Sequence, residues 1–401
     1  MIGTQNQKFA ENEVVFREGD EGDCAYLIEY GQVLVYLEKD GVEIPLKILG
    51  KGEIFGEMSM IDNSLRSASC RALCETRLVI VTQEQLLDRI QSADPVVRLL
   101  MRALLERLRD QNFSIKGIQT EMNPIISEKL ALEKQEAIER IELENRMSLG
   151  LKNDEFSPHY QPIYDLETNE VIGCEALIRW KTADGQTVSP GVFVDVLEQS
   201  SLILGVGQMM IEKCVNDLKK LQKKCELGKD FFVSINISGR QFADIHFLDH
   251  LESVRSKVGV AAHQIKLEVT ERIMTEGPQA IDTLQNCRSF GYRIAIDDFG
   301  TGFSSLQYLA SMPLHDLKID RSFVNQMMTQ EKSLSVVKTL IYMARLLRLN
   351  LIAEGIETSQ QLLLLRNLGV KAGQGFLFSK AVAVDDLINL LNQAQQKQEA
   401  A

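Results

Sequence analysis

The chain has 401 residues, 45% of them hydrophobic and 25% charged, which is enough for two or three domains with a substantial buried core. That composition excludes wholesale disorder and fibrous classes. A formal net charge of −12 without a dense Lys/Arg block excludes a broad electrostatic footprint on a nucleic-acid backbone, so an anionic substrate would need local cationic help. The opening MIGTQNQKFAENE is polar and acidic where a signal peptide is basic and then apolar, and no apolar run reaches bilayer length. A cytoplasmic protein without a membrane partner is expected. The seven cysteines are scattered and odd in number, and read as reduced thiols rather than a disulfide framework or a zinc site.

Residues 14 to 82 contain short β-branched or alternating runs (VVF, AYLIEYGQVLVYLE, EIPLKIL, RLVIVT) separated by Gly and Asp turns, the pattern of an all-β unit. After Asp94-Pro95 the apolar residues fall three and four apart (Val96, Val97, Leu100, Leu104, Leu105, Leu108), which predicts a helix with a cap and a first-turn proline. Its leucines exceed the need of one face. Residues 120 to 150 are rich in Glu, Lys, Leu and Ala, with Pro124 as a break, and predict a helical connector. Pairing with a second copy is the expectation, with a solitary solvated helix as the alternative. Strands and helices then alternate: HYQPIYDL, IGCEALIRW, FFVSINIS, QIKLEVTE, YRIAIDD, HDLKID, NLIAEGI and KAGQGFLF read as strands, with helical stretches such as residues 193–221 and 335–347 between most of them. So many repeats predict a parallel sheet closed into a (β/α)8 barrel of the α/β class. The expected borders are 1–112 for the β unit, 113–152 for the connector and 153–401 for the barrel.

Functional groups of such a barrel gather at the C-terminal ends of its strands. The acids and amides fall there: Glu175, Asn236, Glu268, Glu271, Asp297, Asp298, Glu354 and Gln374, with Lys318 in LKID. Oxygen ligands from several strands suit a hard divalent cation, Mg2+ or Mn2+. The adjacent Asp297 and Asp298 exceed what a turn requires and can serve two neighbouring ions, which clamp the attacking water and the leaving oxygen of a phosphoryl group. Phosphodiester hydrolysis is the reaction class that follows, with Lys318 orienting water or stabilising charge. Singly, each residue has a structural role open to it, such as a helix cap, an ion-pair partner or a snorkelling lysine. Together they argue for ligation, because acids at the ends of successive apolar strands are costly to bury unless paired or ligating.

YQPIYDLETNEVIGCEALIRW, NIS, LEVTER, DDFGTGFSSL, LKIDRSFV, AEGIET and QGFLFSK occur in order, and residues 159 to 380 resemble the EAL domain, a bacterial module that linearises cyclic di-GMP to pGpG on a β/α barrel. The resemblance implies that Glu175, Asn236, Glu268, Asp297, Asp298 and Glu354 hold two metal ions, with Lys318 near the attacking water. It implies that Gln161, Leu177, Arg179 and Gln374 serve the dinucleotide or support the site, and that Glu271 holds the loop 299–305. Arg179 suits a phosphate through its planar fork. Two positions depart from the pattern: Val370-Lys371 stands where many members have Cys-Asp, and Ala381 replaces the usual proline after FSK.

In GKGEIFGEMSMIDNSLRSASCRA, residues 50 to 72, a glycine-rich turn leads to an acid, and an arginine follows nine residues later. Backbone N–H groups could cradle one phosphate, Arg66 neutralise it and Glu57 bind a ribose hydroxyl; a plain hairpin rim is the alternative. With the lead-in FREGDEGDCAYLIEYGQVLVY and the helix after Pro95, residues 13 to 112 resemble the cyclic-nucleotide-binding β-roll of the catabolite activator protein family. By that resemblance Gly56, Glu57, Met58, Ser59, Arg66 and Ser67 bind the nucleotide; Ser67 favours cAMP, and Leu65 takes the place of the usual proline. No helix-turn-helix follows the β-roll, so DNA is not an expected partner. The sequence predicts a homodimeric phosphodiesterase for cyclic di-GMP controlled by cAMP. The alternatives are an inactive barrel that reports cyclic di-GMP to a partner, and a β-roll that serves only as a scaffold.

Overall fold

The computed structural model describes residues 6–39, 41–61, 64–82, 94–116, 124–270, 273, 278–297, 299 and 312–399. The chain forms two compact units, Met1–Leu143 and Glu144–Ala401. Within the first unit run β1 (Asn6–Phe9), β2 (Val14–Phe16), β3 (Cys24–Tyr30), β4 (Val33–Lys39), β5 (Val42–Leu49), β6 (Ile54–Phe55), β7 (Ser69–Ala72) and β8 (Thr76–Thr82). They pair antiparallel in two four-stranded sheets, in the orders β1-β8-β3-β6 and β2-β7-β4-β5. Alternation along these strands sends Tyr26, Ile28, Val33, Leu49, Phe55, Cys70 and Leu78 into one core. The tight link between β3 and β4 needs Gly31, whose φ is +101° and whose missing Cβ would lie 2.7 Å from Thr76 Cα.

The helix Pro95–Lys116 starts as expected: Asp94 Oδ1 accepts from Val96 N at 2.8 Å, and the proline occupies the first turn. The connector becomes the helix Pro124–Lys152. Its first half folds back on the preceding helix, since Arg140 meets Asp94 at 2.7 Å and Arg98 meets Glu136 at 3.1 Å in antiparallel register over a buried Ala137. Val97, Leu100, Leu104 and Leu108 remain exposed.

The second unit is a closed eight-stranded barrel. Its strands are β9 (Phe156–Asp165), β10 (Val171–Lys181), β12 (Phe232–Asn236), β13 (Ile265–Thr270), β14 (Arg293–Asp297), β15 (Asp316–Ile319), β16 (Asn350–Ala353) and β17 (Ala372–Gly373), while β11 (Thr187–Val188) extends β10 as a hairpin. From β10 to β17 neighbours run parallel, as expected. β9 differs: it closes the barrel antiparallel to both β10 and β17. The link from Leu166 to Glu170 is too short for the crossover that a parallel neighbour requires.

Two predicted elements differ, one split and one shortened. The helical stretch 193–221 splits into Pro190–Gln199 and Leu202–Lys224, because Ser200 turns the chain and its Oγ accepts from Leu202 N at 3.2 Å. The run KAGQGFLF keeps only Ala372–Gly373 as strand. A Cβ at Gly375 would lie 2.1 Å from Ile356 O, so this backbone packs directly on its neighbour instead of extending.

Candidate active site

The parallel register aligns the strand ends, and with them the polar residues. Asn236 lies opposite Glu268, Thr270 opposite Asp297, and Glu175 lies beside Gln161 on one side and Ser234 on the other. Lys318, on β15, is fully buried at their centre. Its Nζ lies 2.5 Å from Glu268 Oε2, 2.6 Å from Glu354 Oε1, 3.0 Å from Asp297 Oδ2 and 3.1 Å from Glu175 Oε2. One ammonium thus faces four carboxylates, an excess of negative charge that only further cations or protons can balance.

The amides tune this cluster. Asn236 Nδ2 donates to Glu175 Oε1 at 2.8 Å, and Gln374 Nε2 donates to Glu175 Oε2 and, at 3.1 Å, to Glu354 Oε1. Burial pushes the Glu175 carboxyl up, but Lys318, Gln374 and Asn236 together hold it below the usual range. Glu354 and Glu268 have less of that support, since of the two amides only Gln374 reaches Glu354 and Glu268 has Lys318 alone among the described residues. Burial raises Glu354 well above the carboxylate range and Glu268 to about 8, with neighbouring carboxylates adding to the shift against the opposing pull of Lys318. Burial opposes the charge on Lys318, yet the surrounding acids raise it well above the usual lysine value.

The carboxylate oxygens of Glu175, Asp297 and Glu354 lie within 4.8 Å of one another, close enough to share a cation. Glu268 Oε1 and Gln374 Oε1 are buried without a hydrogen-bond partner. Converging carboxylates with spare buried oxygens fit a hard divalent ion. Asp298 and Glu271 lie outside the described residues, as does the loop 299–305 apart from the buried Phe299.

Two cavities, of about 560 and 640 Å3, open on the cluster and share Leu177, Arg179 and Asp297. Gln161 lines the smaller one and donates to Ser379 O at 3.1 Å. Sequence reasoning missed Asp320, Arg321, Glu357, Phe376 and Lys380, which also line it. The signal was available, since Asp320 ends LKID and Arg321, Glu357, Phe376 and Lys380 directly follow LKID, AEGI, GQG and FS.

The first unit brings its own predicted residues together. Arg66 is buried, donating to Gly56 O, to Ser59 Oγ at 2.9 Å and to Cys24 O at 2.7 Å, with its guanidinium 4.2 Å from the centroid of the Phe16 ring. Gly56 has φ +77°, and a Cβ there would lie 2.7 Å from Arg66 Nη1. Burial raises the Glu57 carboxyl against the opposing charge of Arg66. Ser67 Oγ donates to Met58 Sδ at 3.8 Å.

Fold and site define a β/α-barrel protein with a buried carboxylate cluster at the C-terminal mouth, joined to a β-roll that encloses a buried arginine. Residues 144–381 match the family model of the EAL domain, and residues 6–93 match that of the cyclic nucleotide-binding domain. The chain belongs to the EAL-domain family. The signaling protein YkoW of Bacillus subtilis is 37% identical over 247 residues, covering 61% of this chain and 30% of that protein. Cyclic di-GMP phosphodiesterase NbdA of Pseudomonas aeruginosa is 32% identical over 256 residues, covering 64% of this chain and 32% of its own. The chain spans about a third of the length of these curated relatives. The solved structure of EAL enzyme Bd1971 in its cAMP bound form is 46% identical with a TM-score of 0.76, covering 96% of this chain and 100% of that one. The form with cAMP and cyclic-di-GMP bound covers the same shares at 47% identity and a TM-score of 0.75.

Proposed function

We propose that the barrel hydrolyses cyclic di-GMP to linear pGpG with two divalent cations, Mg2+ or Mn2+, and that cAMP bound to the N-terminal unit controls it. The observation that carries this reading is the group of Glu175, Asp297 and Glu354 oxygens within 4.8 Å of one another around Lys318. Glu175, Asn236, Glu268, Asp297, Asp298 and Glu354 would hold the ions, which supply Lewis acidity and an activated water. Lys318 would hold the water or the developing charge. Leu177 and Arg179, shared by two cavities, would seat the dinucleotide across both, with Gln161 and Gln374 fixing the wall, and Glu271 would hold the loop after the aspartates. Bd1971, solved in cAMP bound and in cGMP bound forms, supports a cyclic nucleotide as the regulatory ligand; Ser67 favours cAMP, bound by Gly56, Glu57, Met58, Ser59, Arg66 and Ser67.

The borders proposed are 1–112, 113–152 and 153–401, in a cytoplasmic homodimer. Exposed Val97, Leu100, Leu104 and Leu108 on one helix support pairing. Among the described residues no helix is long and apolar enough to cross a membrane. The test is release of pGpG from cyclic di-GMP with and without Mg2+, at zero and saturating cAMP. Binding of the dinucleotide with Mg2+ but no linear product would make the barrel a receptor. Equal rates with and without cAMP would remove the control.

A further inference from the structure

The barrel has a second polar opening, at the end where its parallel strands begin. Lys266, Arg293, Asp316 and Asn350 stand at or near the starts of β13 to β16, and Lys371 immediately precedes β17. They line a cavity of about 340 Å3, a size suited to a small molecule, together with apolar residues that include Phe232, Ile341 and Leu349. The departure Val370-Lys371 therefore lies at this mouth, at the opposite end of β17 from Gln374.

The charges here do not balance. Lys266 Nζ lies 3.1 Å from Asp316 Oδ2 and 3.6 Å from the centroid of the Phe232 ring, so this buried pair cancels. Asp165, the other acid of the lining, is engaged in a turn, where its Oδ1 accepts from the Glu167 and Thr168 backbones at 2.8 and 2.9 Å. Arg345 donates to the neutral Leu368 O at 2.9 Å, and Arg293, whose guanidinium lies 5.8 Å from the centroid of the Phe232 ring, pairs with the exposed Asp230 at 3.3 Å. Among the described residues neither Arg345 nor Lys371 has a carboxylate partner. Three cations thus border a partly apolar cavity in a chain whose net charge is −12.

We propose that this cavity binds a small phosphomonoester, its dianionic head held by Arg293, Arg345 and Lys371 and its body against the apolar wall. Guanidinium forks and an ammonium are the groups that recognise phosphate oxygens. The occupant would sit one inward layer beneath the carboxylate cluster, because Lys266 and Glu268, like Asp316 and Lys318, stand two residues apart on the same face of one strand. The site is separate from the cyclic di-GMP mouth, and its test needs no turnover.

The experiment is calorimetric titration of the full chain in EDTA with phenyl phosphate and, separately, inorganic phosphate. The wild type should bind phenyl phosphate saturably and several-fold more tightly than inorganic phosphate. Lys371→Glu, at an exposed position, should weaken binding at least about tenfold, and Arg293→Gln should weaken it in the same direction. Saturating cAMP, which would fill the cassette of the other unit, should leave it unchanged. Tighter binding of inorganic phosphate would overturn the phosphomonoester and its apolar wall. No saturable binding, an unchanged affinity in Lys371→Glu, or loss on adding cAMP would overturn the site.

Discussion

Replacing Lys318 with methionine tests whether the barrel mouth is built for cations. Its ammonium lies within 3.1 Å of four carboxylates, and the side chain has no solvent exposure. Methionine keeps the length but removes the charge. Removing one partner from a buried ion cluster costs about 3–5 kcal/mol, since the remaining charge stays desolvated. The lower figure applies here, because Glu354 and Glu268 already favour the protonated form and take up protons readily. For a unit the size of Glu144–Ala401, each kcal/mol shifts the melting temperature by about 2–4 °C, so Lys318→Met should melt roughly 6–12 °C lower in EDTA at pH 8. A divalent ion that binds only the folded site restores about 2.7 kcal/mol at a hundredfold excess over Kd. Mg2+ should therefore recover most of the loss, which thermal denaturation with and without Mg2+ reads directly. If Lys318→Met melts with the wild type in EDTA, or if Mg2+ restores nothing, the cluster is not a cation site of the kind described.

The remaining predictions concern pH, the metal set and the β-roll. Burial and the neighbouring acids push the Glu268 carboxyl up to about 8 against an ordinary 4.5, so its neutral form stabilises the fold at low pH, and that contribution is lost as pH rises toward 8. Mg2+ needs the ionised form, so its affinity should rise up to about tenfold per pH unit until pH 8 with release of a proton; calorimetry in buffers of different ionisation heat checks this, and pH-independent affinity would refute it. Glu175→Ala should abolish cyclic di-GMP hydrolysis while leaving the circular dichroism spectrum unchanged; residual turnover within tenfold of wild type would exclude Glu175 from the ligand set. Arg66→Ala should lose cAMP binding and also destabilise the N-terminal unit by about 1–3 kcal/mol, because Gly56 O and Cys24 O lose their donor. Arg66→Lys should recover part of the stability but little of the binding, as measured by denaturant melts beside calorimetry.

The barrel was legible because its strands are buried on both faces and carry their acids at one end, a pattern that survives without any contact information. The antiparallel β9 was not, since strand runs announce themselves without direction, and only the short link from Leu166 to Glu170 sets it. In HDLKID, Lys318 invites a surface reading beside Leu317 and Ile319. In the fold all three are buried, because the helices cover one face of the strand and the carboxylates fill the other. The short β17 rests on the approach of Gly375 to Ile356, a contact between residues 19 positions apart that no local pattern encodes. The β-roll cassette was legible as glycine, acid and arginine, but the internal bonds of Arg66 to Cys24 O and Ser59 were not.

The measurement closest to the central claim is product formation from cyclic di-GMP by the full chain, resolved chromatographically, in EDTA and in Mg2+, each with and without cAMP. Linear pGpG should form only with Mg2+, at a rate that cAMP changes. Linear product at the same rate in EDTA, or none under any condition, would contradict it.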